Sequence, residues 1–216
     1  MGGNAVIDLY FWTTDNGYKA RQGMEESGLP HRLKLVDIRA REQFQHDYLR
    51  ISPGHKIPAI VDHDGPGGAT LSLCESGAIL KYLAEKAGNG LYPPDPLARA
   101  RVDQWLFFGS ATFTTLAQQF GHFVVRLPQD PRLPQDVPQA KAHYTATLRD
   151  MLATLDRHLA DNEYFAGAYS VADISIYPDV HLHGVRDIGL DDYPHLRRWH
   201  DAIEARPAVR RAWGPH

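Results

Sequence analysis

The chain has 216 residues, 43% of them hydrophobic, and a net charge of −3; it is long enough to bury one large core or two smaller ones. Its 23 basic residues are scattered among 26 acidic ones, which argues against nucleic acid or an anionic membrane as partner, since both demand a basic face. No apolar run reaches the roughly 18 residues of a membrane span, MGGNAVIDLYFW lacks a signal-peptide pattern, and the single cysteine, Cys74, excludes an internal disulfide and fits a reducing compartment, so the expected location is cytoplasmic.

Val6 to Trp12 alternates as a first strand with Ile7, Leu9 and Phe11 on one face. Thr13-Thr14-Asp15-Asn16-Gly17 then supplies the hydroxyl and amide groups that favour turns and helix caps. A helix follows to about Ser27, stopped by Gly28 and Pro30. His31 to Ile38 alternates as a second strand with Leu33 and Leu35 together, and a short helical piece carries Phe44, Tyr48 and Leu49. Ile57, Ala59 and Val61, then Leu71 and Leu73, alternate as two strands around the turn formers of His63 to Gly68. Glu75-Ser76 opens a helix with Ile79, Leu80, Leu83, Ala84 and Ala87 on one side and Gly88 at its C-terminal stop. The order is βαβαββα.

Gly88 to Pro96, rich in Gly and Pro, reads as a linker between a domain at 1–87 and a helical domain at 97–216. In the second domain, Trp105, Leu106, Phe108, Phe113, Leu116 and Phe120 read as core or dimer contacts, and Leu127 to Gln139, with four prolines, as a connector. Leu148, Leu152, Leu155 and Leu159 line one face of a helix. Ser170 with Asp173 approaches a capping box, so Asp173 reads as structural. Tyr193 opens a last helix with Leu196, Trp199 and Ile203 inward. His181 and His183 are two apart and do not share a helix face, so no metal is expected.

Chemistry concentrates between Ile51 and Leu83. Pro58 cannot donate to a sheet ladder and marks an edge, a bulge or a cis bond, which frees the peptide group at Ile57 for a ligand. The unpartnered N–H groups of the next helix favour an anion beside Glu75 and Ser76. On these residues alone, Ser76 is equally a cap and Pro58 equally a strand breaker.

KIPAIVD, a hairpin and ESGAILKYL in that order resemble the core of the glutathione transferase family, and the βαβαββα order with a proline opening its third strand resembles a thioredoxin-like domain. The resemblance implies an α+β protein, a thioredoxin-like domain followed by an all-α domain, with glutathione as cosubstrate. It also implies that Ile57, before a cis Pro58, pairs through its backbone with the cysteinyl part of glutathione, and that Glu75 and Ser76 hold the γ-glutamyl end. Redox members carry CxxC where this chain has Thr13-Thr14-Asp15-Asn16; disulfide exchange needs a thiolate, so the thiol must come from outside the chain.

IDLYFW-TTDNG, ISPGHKIPAIVDH and LSLCESGAILKYLAEK most resemble the bacterial Nu class. By that likeness Thr14 and Asn16 face the glutathione sulfur, Gln43 and Lys56 hold its glycyl end, and one site takes two glutathiones or glutathione disulfide. The implied protein is a homodimer that reduces small disulfides through the bound thiolate. On the residues alone, Thr14 and Asn16 are also helix-cap types. Tyr10 is an alternative sulfur donor but lies within the strand, and Cys74 reads as a small buried hydrophobe. Two other functions stay open: conjugation or peroxide reduction on small electrophiles, and a non-catalytic glutathione-binding regulator. Relatives of the latter kind carry a long Asn-rich N-terminal extension, whereas the first strand here is expected close to Met1.

Overall fold

The computed structural model describes residues 6–126, 137–182, 184 and 188–215. They fall into two compact units, one running up to Arg99 and resuming at Ala205, the other spanning Ala100–Glu204.

The first unit is built on a four-stranded sheet of β1 (Ile7–Phe11), β2 (His31–Leu35), β3 (Ala59–Asp62) and β4 (Leu71–Cys74) in the order β2-β1-β3-β4. β1 runs parallel to β2 and antiparallel to β3, and β3 runs antiparallel to β4. Ile7, Leu9 and Phe11 alternate onto one face, as expected, where Ile60 joins them. Against them pack Ala20 and Met24 of α1 (Asp15–Ser27) and Ile79 and Leu83 of α3 (Ser76–Ala87). Each of the Ile, Leu, Phe and Met side chains contributes about 1.5–3 kcal/mol by leaving water. The opposite face buries Ala59 with Val36 and with Tyr48 of the one-turn α2 (His46–Leu49).

Three strand expectations are corrected. β2 stops at Leu35, short of the expected Ile38, and that residue is 50% exposed while Leu33 is partly buried. β3 does not alternate; all four of its residues are buried, because the sheet is covered on both sides at this strand. Cys74 is half-buried at the end of β4.

α3 is fixed to the sheet by a polar clamp. Asp62, fully buried at the end of β3, accepts from the Tyr82 hydroxyl at 2.5 Å and pairs with Lys86 at 2.6 Å. Burial pushes its carboxyl up, but the bonds from Lys86 and Tyr82 outweigh burial and hold it below the ordinary range. Gly88 ends α3 in the left-handed conformation, as its position predicts. The final helix, α9 (Pro207–Trp213), also belongs to this unit. Its Trp213 ring stacks on Tyr18 of α1 at 3.8 Å, and Arg206 forks onto Glu26 at 2.6 and 2.9 Å.

The second unit is helical: α4 (Pro96–Phe107, which begins in the first unit), α5 (Thr114–Phe120), α6 (Pro138–Ala160), α7 (Val171–His181) and α8 (Pro194–Glu204). π-helical turns at Phe108–Phe113 and Gly121–Arg126 flank α5. Leu106, Phe113 and Phe120 are core, and Trp105 packs on Phe108, His158 and Phe165. A Cβ on Gly109 would lie 2.1 Å from Ser175 Oγ, so only glycine lets α7 pack this closely. The leucine stripe of α6 is buried throughout. Of the expected proline connector, 127–136 lie outside the described residues, and Pro138 opens α6. The expected single last helix is two, because α8 ends at Glu204 and Pro207 starts α9.

Asp173 sits at the centre of this unit. It completes a capping box with Ser170, whose N–H and hydroxyl donate to it at 3.0 and 3.2 Å, and it accepts from the Phe165 N–H at 3.1 Å and Trp199 Nε1 at 2.8 Å. Burial pushes its carboxyl up to about 6 in spite of these donors.

Candidate functional site

Topology brings the expected site residues to one end of the sheet. Ala59, the first residue of β3, pairs with Tyr10 near the end of β1 and with Cys74 at the end of β4. The turn into α1, the approach to β3 and the start of α3 therefore leave from a single rung, Tyr10–Ala59–Cys74.

Thr14 is the N-cap of α1, in extended backbone, and its hydroxyl oxygen accepts from the Gly17 N–H at 3.1 Å. That oxygen acts as acceptor, so its own proton is available for a further partner. Gly17 is required at this turn, since a Cβ there would lie 2.1 Å from the Trp12 carbonyl oxygen. Two residues after the cap, the Asn16 side-chain oxygen accepts a hydrogen bond from the Ser76 hydroxyl at 3.2 Å. Sixty residues apart, the openings of α1 and α3 are thus joined. With the oxygen engaged, Asn16 presents its NH2, a pure donor.

Ser76 is the first residue of α3 and is buried, whereas Glu75 before it is exposed. Glu75 has φ +71° and ψ 115°, a left-handed backbone region that a non-glycine residue adopts only when its surroundings impose it. Its side chain makes no cap bond, so α3 opens beside an exposed carboxylate with first N–H groups that its N-cap side chain does not satisfy.

The bond between Ile57 and Pro58 is cis. Ile57 precedes the ladder, which starts at Ala59, and its side chain packs against the cluster of Val36, Tyr48 and Ala59, as do Tyr10 and Cys74. The neighbouring Lys56 carbonyl is held by the hydroxyls of Tyr48 at 2.7 Å and Ser52 at 2.9 Å, while the Lys56 residue is exposed. Gln43 lies in a 3-10 turn, Glu42–Phe44, and its side-chain oxygen is buried without a hydrogen-bond partner. Direct contact thus joins Asn16 with Ser76; Ile57 meets the rung through packing; Gln43 and Lys56 belong to the segment between β2 and β3. Tyr10 lies within β1, one residue before its end, and burial, helped by the Asp8 charge, pushes its phenol above the usual range. Sequence reading did not anticipate the Asn16–Ser76 bond or the paired hydroxyls on Lys56.

In chemical terms, this end of the sheet offers donors from Thr14 and Asn16, the helix N-terminus and a hydroxyl at α3, one exposed carboxylate, and a backbone edge before β3. Such a set suits an extended peptide-like ligand that carries both an amino group and carboxylates. Among the described residues, no helix is long and apolar enough to cross a membrane.

The fold and this sheet end define a thioredoxin-like domain joined to a helical one. Residues 17–86 match the family model for the glutathione S-transferase N-terminal domain, and residues 138–202 match the C-terminal domain model. The chain is 40% identical to the disulfide-bond oxidoreductase YfcG of Escherichia coli, over 96% of this chain and 94% of that protein. A Pseudomonas fluorescens glutathione transferase family member, solved with two glutathiones bound, superposes with TM-score 0.89 at 34% identity, covering 95% of this chain and 91% of that one. A Pseudomonas putida glutathione transferase, solved with one glutathione disulfide per subunit, gives 0.88 at 35% identity, with 96% and 90% covered. The chain belongs to the glutathione S-transferase family.

Proposed function

We propose that this protein is a glutathione-dependent disulfide-bond oxidoreductase of the Nu type, working with a thiol borrowed from its cosubstrate. The observation that carries the reading is the junction of Asn16 with Ser76. It sets donors beside a turn that holds no cysteine, where a redox thioredoxin-like domain would keep its own pair. The likeness to an oxidoreductase, and to transferases solved with two glutathiones or glutathione disulfide, supports it.

In this reading Glu75 takes the ligand's amino group, and Ser76 with the first N–H groups of α3 takes the adjoining carboxylate. The backbone of Ile57, before Pro58, pairs with the cysteinyl unit, and Gln43 and Lys56 hold the glycyl carboxylate. Thr14 and Asn16 donate to the sulfur and so favour its thiolate form. That thiolate attacks one sulfur of a disulfide, forming a mixed disulfide and expelling the other sulfur as a thiolate, which takes up a proton. A second glutathione thiolate then attacks the glutathione sulfur of the mixed disulfide, releasing the second thiol and leaving glutathione disulfide. The two electrons come from the two glutathiones.

Residues 1–87 form the glutathione-binding domain in this scheme, 88–96 the linker and 97–216 the helical domain, of which α9 packs in the first unit. A homodimer in a reducing cytoplasm completes the proposal. The test is a coupled assay with 2-hydroxyethyl disulfide, glutathione, glutathione reductase and NADPH, run beside conjugation of chlorodinitrobenzene. Disulfide reduction is expected to exceed conjugation by at least about tenfold in kcat/KM, a margin of about 1.4 kcal/mol in transition-state binding. Conjugation as the faster reaction would make the protein a transferase toward electrophiles, and binding of glutathione without either reaction would make it a binding protein.

A further inference from the structure

α7 ends at His181, and α8 carries His200, Asp201 and Glu204. His181 Nδ1 and His200 Nε2 approach to 3.1 Å, and donor atoms of His181, His200 and Glu204 all lie within 4.8 Å of one another. We propose that this His181–His200–Glu204 cluster is a binding site for a divalent transition-metal ion, zinc foremost, that clamps α7 to α8.

The geometry favours coordination. In a four-coordinate zinc site with bonds of 2.0–2.1 Å, ligand atoms lie about 3.3 Å apart, close to the spacing the two imidazole nitrogens already have. Glu204 is exposed at the end of α8, and its carboxylate already lies within 4.8 Å of the donor atoms of both imidazoles. Two imidazoles and a carboxylate are a donor set that zinc accepts readily, with water or the Tyr177 hydroxyl for the remaining position. A supporting shell is also present. His200, only 7% exposed, sets Nδ1 3.1 Å from the Asp201 carboxylate, which selects the tautomer with Nε2 unprotonated and facing His181. The Tyr177 hydroxyl lies 2.9 Å from His181 Nδ1 and would turn from that nitrogen to a metal-bound water. The ligands come from two helices, so spacing along the chain does not show them; His183, the sequence neighbour of His181, lies outside the described residues. The alternative for the same geometry is a simple hydrogen bond between the two imidazoles.

The test uses the full-length, untagged protein stripped with EDTA and titrated with zinc chloride by calorimetry, with cobalt(II) absorbance as a second readout. One zinc per subunit is expected, with micromolar or tighter affinity, a visible tetrahedral cobalt band, and a melting temperature that rises with zinc. Glu204→Gln, at an exposed position that leaves the core untouched, is expected to weaken binding by more than the roughly tenfold that loss of a supporting outer-shell group costs; His200→Ala is expected to remove it. Absence of saturable one-to-one binding overturns the proposal, as does binding unchanged in both Glu204→Gln and His181→Ala. Glutathione chemistry does not enter this readout, so the test stands apart from the proposed activity.

Discussion

Asp173→Ala is expected to destabilise the protein by about 3 kcal/mol at neutral pH, measured by urea unfolding. The carboxylate is fully buried, and its removal strands the Ser170 and Phe165 N–H groups, the Ser170 hydroxyl and Trp199 Nε1 in a dry interior. Water cannot follow into that space without opening the packing around Trp199 and Phe165. The pH dependence gives a second signature. Burial holds the carboxyl at about 6 in the folded chain against 3.8 for the free group, so the folded state binds this proton more tightly than the unfolded state. The group's contribution to stability is therefore fully present below its unfolded pKa and is lost as the pH rises through about 6. The gap between wild type and Asp173→Ala should widen by about 2 kcal/mol on going from about pH 7.5 to about pH 4.5. Other carboxylates titrate alike in both proteins and cancel in the difference; a gap that narrows toward acid would contradict the assignment.

The second large effect is on activity. Asn16→Ala is expected to lower kcat/KM for disulfide reduction by about 100-fold, the scale on which loss of one donor to a developing or resident anion acts in a sheltered site. Thr14→Ala should cost about tenfold in activity together with about 1 kcal/mol of stability, because Thr14 also caps α1. A merely structural Asn16 and a sulfur-facing one are separated by the pH profile. Donors favour the thiolate, so removing one raises the bound thiol's pKa and moves the rising limb of the rate profile to higher pH. Asn16→Asp sharpens the distinction. It keeps an acceptor for the Ser76 hydroxyl, whose bond is seen at 3.2 Å, but sets a negative charge beside the sulfur, and should be more harmful than alanine. If Asn16→Asp keeps both rate and profile, Asn16 only joins two helices.

Much of this architecture is legible in the residues because local signals and global packing agree. The period-two run Ile7, Leu9, Phe11, the left-handed stop at Gly88, the leucine stripe of α6 and the Ser170–Asp173 box all occur where their spacing puts them. The failures have physical reasons. Leu35 keeps the alternation of β2 but is half exposed, and β3 is buried on both faces, so polarity along it carries no period. The return of α9 to α1, through Trp213 on Tyr18 and Arg206 on Glu26, depends on contacts some 180 residues apart, which propensity cannot read. The same holds at the site. A cap at Thr14 and a helix start at Ser76 are each visible locally, while the Asn16–Ser76 bond, the rung Tyr10–Ala59–Cys74 and the pairing of His181 with His200 exist only in three dimensions.

The central claim, that the working thiol belongs to glutathione, is tested most directly by Cys74→Ala, which removes the only cysteine of the chain. Cys74 is half-buried against the cluster of Val36, Tyr48 and Ala59, a position alanine fills with little disturbance. In the coupled 2-hydroxyethyl disulfide assay, the cysteine-free protein should keep kcat and kcat/KM within about twofold of wild type, a change of about 0.4 kcal/mol in barrier, with turnover strictly dependent on glutathione. Loss of turnover in a folded Cys74→Ala protein that still binds glutathione would make Cys74 the nucleophile and contradict the account.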